Sequence, residues 1–326
     1  MPTRRDIPAG LGDVFHVSAA RDAGVNAGRL RSPDLSSPFH GVRRRSTPAT
    51  ASDPGADPYE IQSAQRRART DEYVPRLTPG QFFTHDSAAV RWGAPLPLAM
   101  TDGRIADGRA LPVHVGVFGD APLPRVRGVR GHRALARTTH IVDLDGVSVM
   151  SAASTWASMG ASLPLMDLVA LGDYFCRRWR EGVGRKDPGR PPLATIEELR
   201  AAVGAGRRVG VANLREGLEL IREDSWSPRE SLVRCILVTR GLPEPELNID
   251  VFEAGKFLGC VDLAYPHLRI AIEYHGILHS DHYAADVERM AALRHAGWIV
   301  IEVTAELVKE QAELVRRVRR ALAQRS

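Results

Sequence analysis

The sequence predicts an α+β protein bordering on α/β. A mixed sheet flanked by helices ends the chain, a smaller α+β domain precedes it, and a disordered tail comes first. Three observations carry this reading. Residues 225–326 read as helix, three strands, helix, strand, helix. Residues 61–180 alternate short strands with amphipathic helices, and residues 1–60 are rich in Pro, Gly, Ser and Arg without an apolar period. Length agrees, because 326 residues is about two domains at roughly 150 residues each.

Taken in order, the tail is read as unfolded from stretches such as Arg31-Ser-Pro-Asp-Leu-Ser-Ser-Pro. Ser63 to Arg69 reads as a short helix. His85 to Trp92 reads as a helix closed by Gly93, since glycine adopts the left-handed cap at no steric cost. Val113 to Phe118 alternates like a half-buried strand. Asp145-Gly146 between two apolar runs is a hairpin signal. Helices follow from Ser151 and from Leu165 to Arg178, divided by Pro164. Residues 181–224 read as a linker with short helices at Thr195 and around Ala212 to Arg222.

The last unit opens with Ser227 as N-cap, Pro228 at the first helical position and Glu230 two residues on. Strands are expected over Leu247–Phe252, Phe257–Tyr265 and Leu268–Tyr274. A helix over Tyr283–Ala296, a strand over Trp298–Val303 and a long helix capped by Thr304 complete it.

Composition narrows the function classes. The net charge is +5, and lysine occurs only at Lys186, Lys256 and Lys309, so arginine carries the positive charge. Guanidinium groups bind phosphate bidentately, which suits a nucleic-acid partner. Cys176, Cys235 and Cys260 are too few and too scattered for a disulfide framework. No apolar run reaches the roughly 18 residues of a membrane span, and no apolar segment follows Met1-Pro-Thr-Arg-Arg. A cytoplasmic protein with no membrane partner is expected.

The chemistry concentrates around one hairpin. If Tyr265 pairs with Leu268, Asp262 faces Ala271, and Glu273 lies two residues along on the same face. The two acids are then diagonal neighbours, roughly 7–8 Å apart at the backbone. His275 shares their parity, and His279 and His282 follow Gly276. Two carboxylates with imidazole nearby suit a divalent cation, Mg²⁺ or Mn²⁺. A zinc set of His275, His279, His282 and Cys260 lacks compact spacing.

At these residues a family resemblance enters. Gly259-Cys-Val-Asp-Leu-Ala-Tyr-Pro, Ile272-Glu-Tyr-His-Gly-Ile-Leu-His, Asp286-Val-Glu-Arg and Gly297-Trp-Ile-Val-Ile-Glu-Val-Thr form the pattern. As a set they resemble the restriction-endonuclease-like domain of the very-short-patch-repair endonucleases and the domain-of-unknown-function 559 group. The resemblance implies that Glu230 and Arg234 match a helix Glu and Arg, Asp262 the hairpin Asp, Glu273 the second-strand Glu, and His279 a downstream His. It departs at His275, where that family carries Asp and related nucleases carry Lys. Residues 61–180 resemble an AbiEi-type antitoxin region through Phe82-Phe-Thr-His-Asp-Ser-Ala-Ala-Val-Arg-Trp-Gly and the Val142–Met150 hairpin. That likeness implies a protein partner for this domain.

Two functions stay open. One is a metal-dependent DNA endonuclease of defence or repair. Asp262 and Glu273 hold the cation, His275 or His279 handles a proton or the water, Glu230 supports the metal shell, and Arg234, Arg289 and Arg294 meet the DNA backbone. The other is a non-catalytic DNA-binding or antitoxin-like regulator on a degenerate nuclease fold.

Overall fold

A computed structural model describes residues 6–46, 56–275 and 283–325. The chain is α+β and divides into two compact units, 1–159 with 204–206 and 160–203 with 207–326. The division falls after Met159, whereas the sequence places it near 180. Helix Leu165–Cys176 belongs to the second unit because Leu168, Val169, Leu171 and Phe175 are buried there.

In the first unit, β1 (Val14–His16), α1 (Val17–Asp22), β2 (Leu35–Ser36) and β3 (Val42–Arg45) occupy the stretch read as a tail. The strands form a small antiparallel sheet in the order β1-β3-β2. Ile7, Phe15, Ala20, Val25 and Leu30 pack as its core. The sequence hides this because those apolar residues follow no single period. Arginines tie the loops instead, with Arg43 Nε donating to Leu30 O at 2.8 Å and Arg29 pairing Asp34 at 2.8 Å.

Helix α2 (Pro58–Asp71) is longer than expected, since Asp57 accepts from Tyr59 N and Pro58 presets the first turn. Next come β4 (Gln81–Phe83), α3 (His85–Arg91), a small ribbon of β5 (Met100–Thr101) with β6 (Arg104–Ile105), β7 (Val113–Phe118) and β8 (Val129–Ala134). β9 (Ile141–Leu144), β10 (Val147–Met150) and α4 (Ala152–Ser158) close the unit. Its main sheet runs β8-β7-β4-β10-β9 and is mixed. The β9–β10 hairpin turns at Asp145 and Gly146, whose φ of 55° and 77° are the left-handed values a tight hairpin needs. Strand β7 is buried on both faces rather than half-buried, because β4 and β8 flank it and apolar residues lie on each side.

The second unit begins with α5 (Leu165–Cys176), α6 (Ile196–Gly204) and α7 (Val211–Leu220). Thr195 and Glu198 cap α6 reciprocally, at 3.1 and 2.8 Å. Then come α8 (Pro228–Thr239), β11 (Glu246–Glu253), β12 (Lys256–Tyr265), β13 (Ile270–Tyr274), α9 (Tyr283–His295), β14 (Ile299–Val303), α10 (Ala305–Lys309) and α11 (Gln311–Arg325). The expected single terminal helix is broken at Glu310, whose ψ of 58° leaves the helical region.

The sheet order is β11-β12-β13-β14, antiparallel except for the β13–β14 pair joined through α9. Residues of α8, α10 and α11 pack on one face with Leu247, Leu263, Tyr265 and Ile272. Residues of α9 pack on the other with Val251, Val261, Ala264 and Ala271. None of the helices, among the described residues, is long and apolar enough to cross a membrane.

Candidate functional site

Register decides how the acids meet. The β12–β13 turn is a 3₁₀ turn over Pro266–Leu268, followed by Arg269 at φ 49°. Tyr265 therefore pairs with Ile270 instead of Leu268, and Leu263 pairs with Ile272. The pairing ends there, and the next residue of β12, Asp262, accepts the Tyr274 N–H on its side chain at 2.9 Å, beside Glu273. The longer turn moves the pairing by two residues, and the charge of Asp262 still reaches Glu273.

A second irregularity shapes the place. Leu247 and Leu263 face the α8 side, whereas Ile249 and Val261, two residues along each strand, face the α9 side. Strict alternation would put them on one face. Asn248 breaks it, at a φ of 51° between Leu247 and Ile249. Its amide then reaches α8, donating from Nδ2 to Glu230 Oε2 at 2.7 Å and to Asp224 O at 2.7 Å.

Glu230 sits in the first turn of α8, where Ser227 Oγ accepts its N–H at 3.2 Å and its own Oε2 accepts from Trp226 N at 2.8 Å. Burial pushes its carboxyl up to about 7, and the charge of Asp262 pushes the same way. Glu273 is only 2% exposed, and burial, then Asp262, push it up to about 8. Burial also raises Asp262, partly offset by the Tyr274 N–H bonded to its Oδ2 at 2.9 Å. Three carboxyl groups are thus held where their charged forms are costly.

Arg289 is the cation bonded to Glu273, whereas Glu230 interacts with the charge of Arg177. Arg289 donates from Nη1 to Glu273 Oε1 at 2.8 Å and to Cys260 O at 3.1 Å, and from Nη2 to Asp286 Oδ1 at 3.3 Å. Its stem crosses β12 over Gly259, where a Cβ would lie 2.6 Å from Arg289 Cδ. Only a residue without a side chain permits that approach. Glu273 and Asp286 hold Arg289, so it is not a free phosphate-binding arginine.

The other expected site residues divide. Arg234 is fully buried, bonded to Asp173 Oδ2 and Glu244 Oε1 at 3.1 Å each and to Leu220 O at 2.6 Å. That corrects its assignment to the DNA backbone, because a guanidinium inside the α5–α8 packing cannot reach phosphate. Arg294 is half exposed and pairs with Glu302. His275 extends the strand pairing through its N–H to Val303 O at 2.8 Å. Its Nε2 lies 3.4 Å from Glu302 Oε2 without hydrogen-bond geometry, so the ring turns toward β14. His279, with Gly276 and His282, lies outside the described residues. Cys260 is pushed up to about 12 by burial and meets Arg185 at 3.9 Å, which does not suit a zinc ligand.

Residues in and beside the stretch read as a linker contribute more than expected. Arg177 lies 4.0 Å over the Trp179 ring and 5.1 Å over Trp226, and Arg185 lies 4.7 Å over Trp226. Trp226 is the residue whose N–H holds Glu230, so this arginine–tryptophan layer adjoins the acids. Composition alone, rich in Gly and Pro, masked it; the interleaving of Arg and Trp was the available signal.

Among the described residues, one group sets three potential ligand atoms within 4.8 Å of one another, and it is not the acids: it is His85, His114 and His132 in the first unit. Their positions on α3, β7 and β8 are far apart in sequence, so no spacing motif announces them. Burial lowers His114 and takes His85 down to about 3 and His132 down to about 4, with Arg130 and the neighbouring rings adding to it.

Comparison with known proteins gives little beyond this. The chain is 32% identical over 130 residues to uncharacterized proteins of Mycobacterium tuberculosis, from strain CDC 1551 / Oshkosh and strain H37Rv. The match covers 38% of this chain and 48% of each relative, so it spans about half the length of those proteins. No family model matches, and no solved structure matches.

Proposed function

We propose that the second unit is a metal-dependent DNA endonuclease that hydrolyses phosphodiester bonds. The observation that carries this is the placement of Asp262 beside Glu273, both raised by burial, with Arg289 as their near counter-charge. Buried carboxyl groups of this kind ionise readily only beside a cation. Their oxygens fit Mg²⁺ or Mn²⁺, which prefer carboxylate ligands. A bound ion would polarise the scissile phosphate and acidify a water.

The chain's own groups do the rest. Tyr274 N–H orients Asp262, and Arg289 orients Glu273. Asn248 and Trp226 N–H lock Glu230 behind Asp262, a supporting role rather than a reacting one. The Arg177–Trp179–Trp226 layer supplies charge and ring faces suited to a nucleic-acid strand. This reading agrees with the resemblance to the very-short-patch-repair endonucleases and places the protein in a DNA-directed role, with the AbiEi-like residues 61–180 available to a protein partner.

Nicking of supercoiled plasmid with Mg²⁺ and with Mn²⁺, beside Glu273→Gln and Asp262→Asn, tests it. Metal-dependent nicking that both variants lack is the expected result. Folded protein that shifts DNA without nicking it would sink the enzyme and favour a DNA-binding, antitoxin-like regulator. Two observations favour that second reading: Arg289 already occupies Glu273, and His275 Nε2 lies 3.4 Å from Glu302 Oε2.

A further inference from the structure

We propose that His85, His114 and His132 form a binding site for a divalent transition-metal ion, zinc above all, in the first unit. The site is independent of the acids in the second unit and of the activity proposed for them.

The geometry comes from three elements. His85 is the first residue of α3, His114 lies on β7, and His132 lies on the parallel neighbour β8. Register pairs His114 with Arg130 and Gly116 with His132, so the two strand histidines are offset by two residues. Their rings stack at 5.0 Å and 17°, and the His85 ring stacks on His132 at 4.0 Å and 24°. His132 Nε2 lies 3.0 Å from His114 Nδ1. Two nitrogens on one tetrahedral zinc, each about 2.0–2.1 Å from it, stand about 3.3 Å apart. A few tenths of an ångström, with a turn of the near-parallel rings that lets their in-plane lone pairs converge, open the group to an ion.

The third ligand is oriented by its surroundings. Thr84 Oγ1 donates to Met150 Sδ at 3.0 Å and lies 2.9 Å from His85 Nδ1. In the tautomer where the hydroxyl accepts from Nδ1–H, His85 Nε2 keeps its lone pair for a metal. An outer partner that fixes the tautomer is what ligating histidines ordinarily have. The backbone joins in: His85 has a φ of 49°, unusual for a residue with a side chain, and that turn aims its ring at the strands.

Three imidazoles select the ion. Hard cations such as Mg²⁺ prefer oxygen, whereas zinc and its transition-metal neighbours take neutral imidazole. Three histidines leave a fourth position, and His85 and His132 are only half-buried, so that position is open to water or to a ligand from outside.

The test uses the full chain stripped with chelator and then titrated with Zn²⁺ against a competing dye. One tightly bound zinc per chain is expected, apart from any weaker occupancy of the acids. Substituting His85→Gln or His132→Gln should weaken binding about 100-fold or more. Glu273→Gln should leave it unchanged, which separates this site from the acids. The half-buried pair is chosen over His114, and circular dichroism checks each variant. X-ray absorption on the zinc-loaded wild-type chain reads the ligands without any substitution and should show a shell of three imidazoles. Absence of stoichiometric binding, binding that survives in both histidine variants, or a shell with fewer than two imidazoles would overturn the proposal.

Discussion

Two groups of buried ionisable side chains lie in the second unit, and they are built on opposite plans. Around Arg234 the charges balance, although burial still raises the Asp173 carboxyl above its ordinary range. Asp173 accepts from Arg222 N and Ser231 Oγ at 2.7 Å and from Arg234 at 3.1 Å, while Arg234 also meets Glu244. Around Glu273 they do not, for Glu273, Asp286 and Asp262 all face the charge of Arg289, and Glu230 and Glu273 are pushed up to about 7 and about 8. A satisfied pair fixes how helices pack. An under-compensated one holds free energy that a cation can release, and that separates a packing device from a candidate site.

Breaking the balanced group should have the largest effect. Arg234→Met strands the carboxylate of Asp173, which is 1% exposed, and should cost about 3–5 kcal/mol of unfolding free energy. Denaturant midpoints measure it. The double change Arg234→Met with Asp173→Leu should recover much of the loss, since no charge is then left buried alone. Equal loss in the double variant would mean that shape, not charge, matters there.

The unbalanced group should respond to pH in the opposite sense to an ordinary ion pair. Glu273 is raised from 4.5 to about 8, so between those values the native chain keeps a proton that the unfolded chain has released. Stability from this group is therefore full at the acidic end and falls as pH rises toward 8. The slope is at most about 1.4 kcal/mol per pH unit. Glu273→Gln should flatten it and be the more stable protein at pH 9. Urea midpoints at pH 6 and pH 9 compare the two, and parallel curves would show that Glu273 is ionised throughout. Gly259→Ala tests the same group from the other strand. Its Cβ would meet the Arg289 stem, and about 1–3 kcal/mol should be lost as the guanidinium leaves Glu273.

How much of this was legible in sequence follows from the same contrast. Local signals carried the elements: Ser227-Pro228 set the start of α8, and Asp145-Gly146 set the β9–β10 turn, because caps and turns depend on a few adjacent residues. The nearness of Asp262 and Glu273 was legible in the hairpin but the register was not, since the 3₁₀ turn at Pro266 and Arg269 at positive φ add residues that no alternation reveals. Arg234 was misread because burial of a charged helix residue depends on Asp173, which is 61 residues away in the chain. The histidine group was missed for the same reason. The small sheet of residues 14–45 shows the limit most plainly: arginines hydrogen-bonded to carbonyl groups hold what a periodic apolar pattern would otherwise announce.

The smallest effect sharpens the contrast from outside both groups. Arg294 and Glu302 pair on the surface with side chains 49% and 47% exposed. Exposed pairs contribute little, so Arg294→Ala should change stability by less than about 0.5 kcal/mol. Its interest lies in binding. If Arg294 meets the DNA backbone, the variant should weaken binding to every sequence alike and reduce the slope of log affinity against log salt by about one. Filter binding across a salt series reads that slope. An unchanged slope would leave Arg294 as a solvated partner of Glu302, and DNA contact would then rest on the arginine–tryptophan layer beside Glu230. A reduced slope would place the α9 surface on DNA even though Arg289, five residues earlier on the same helix, is held inside by Glu273.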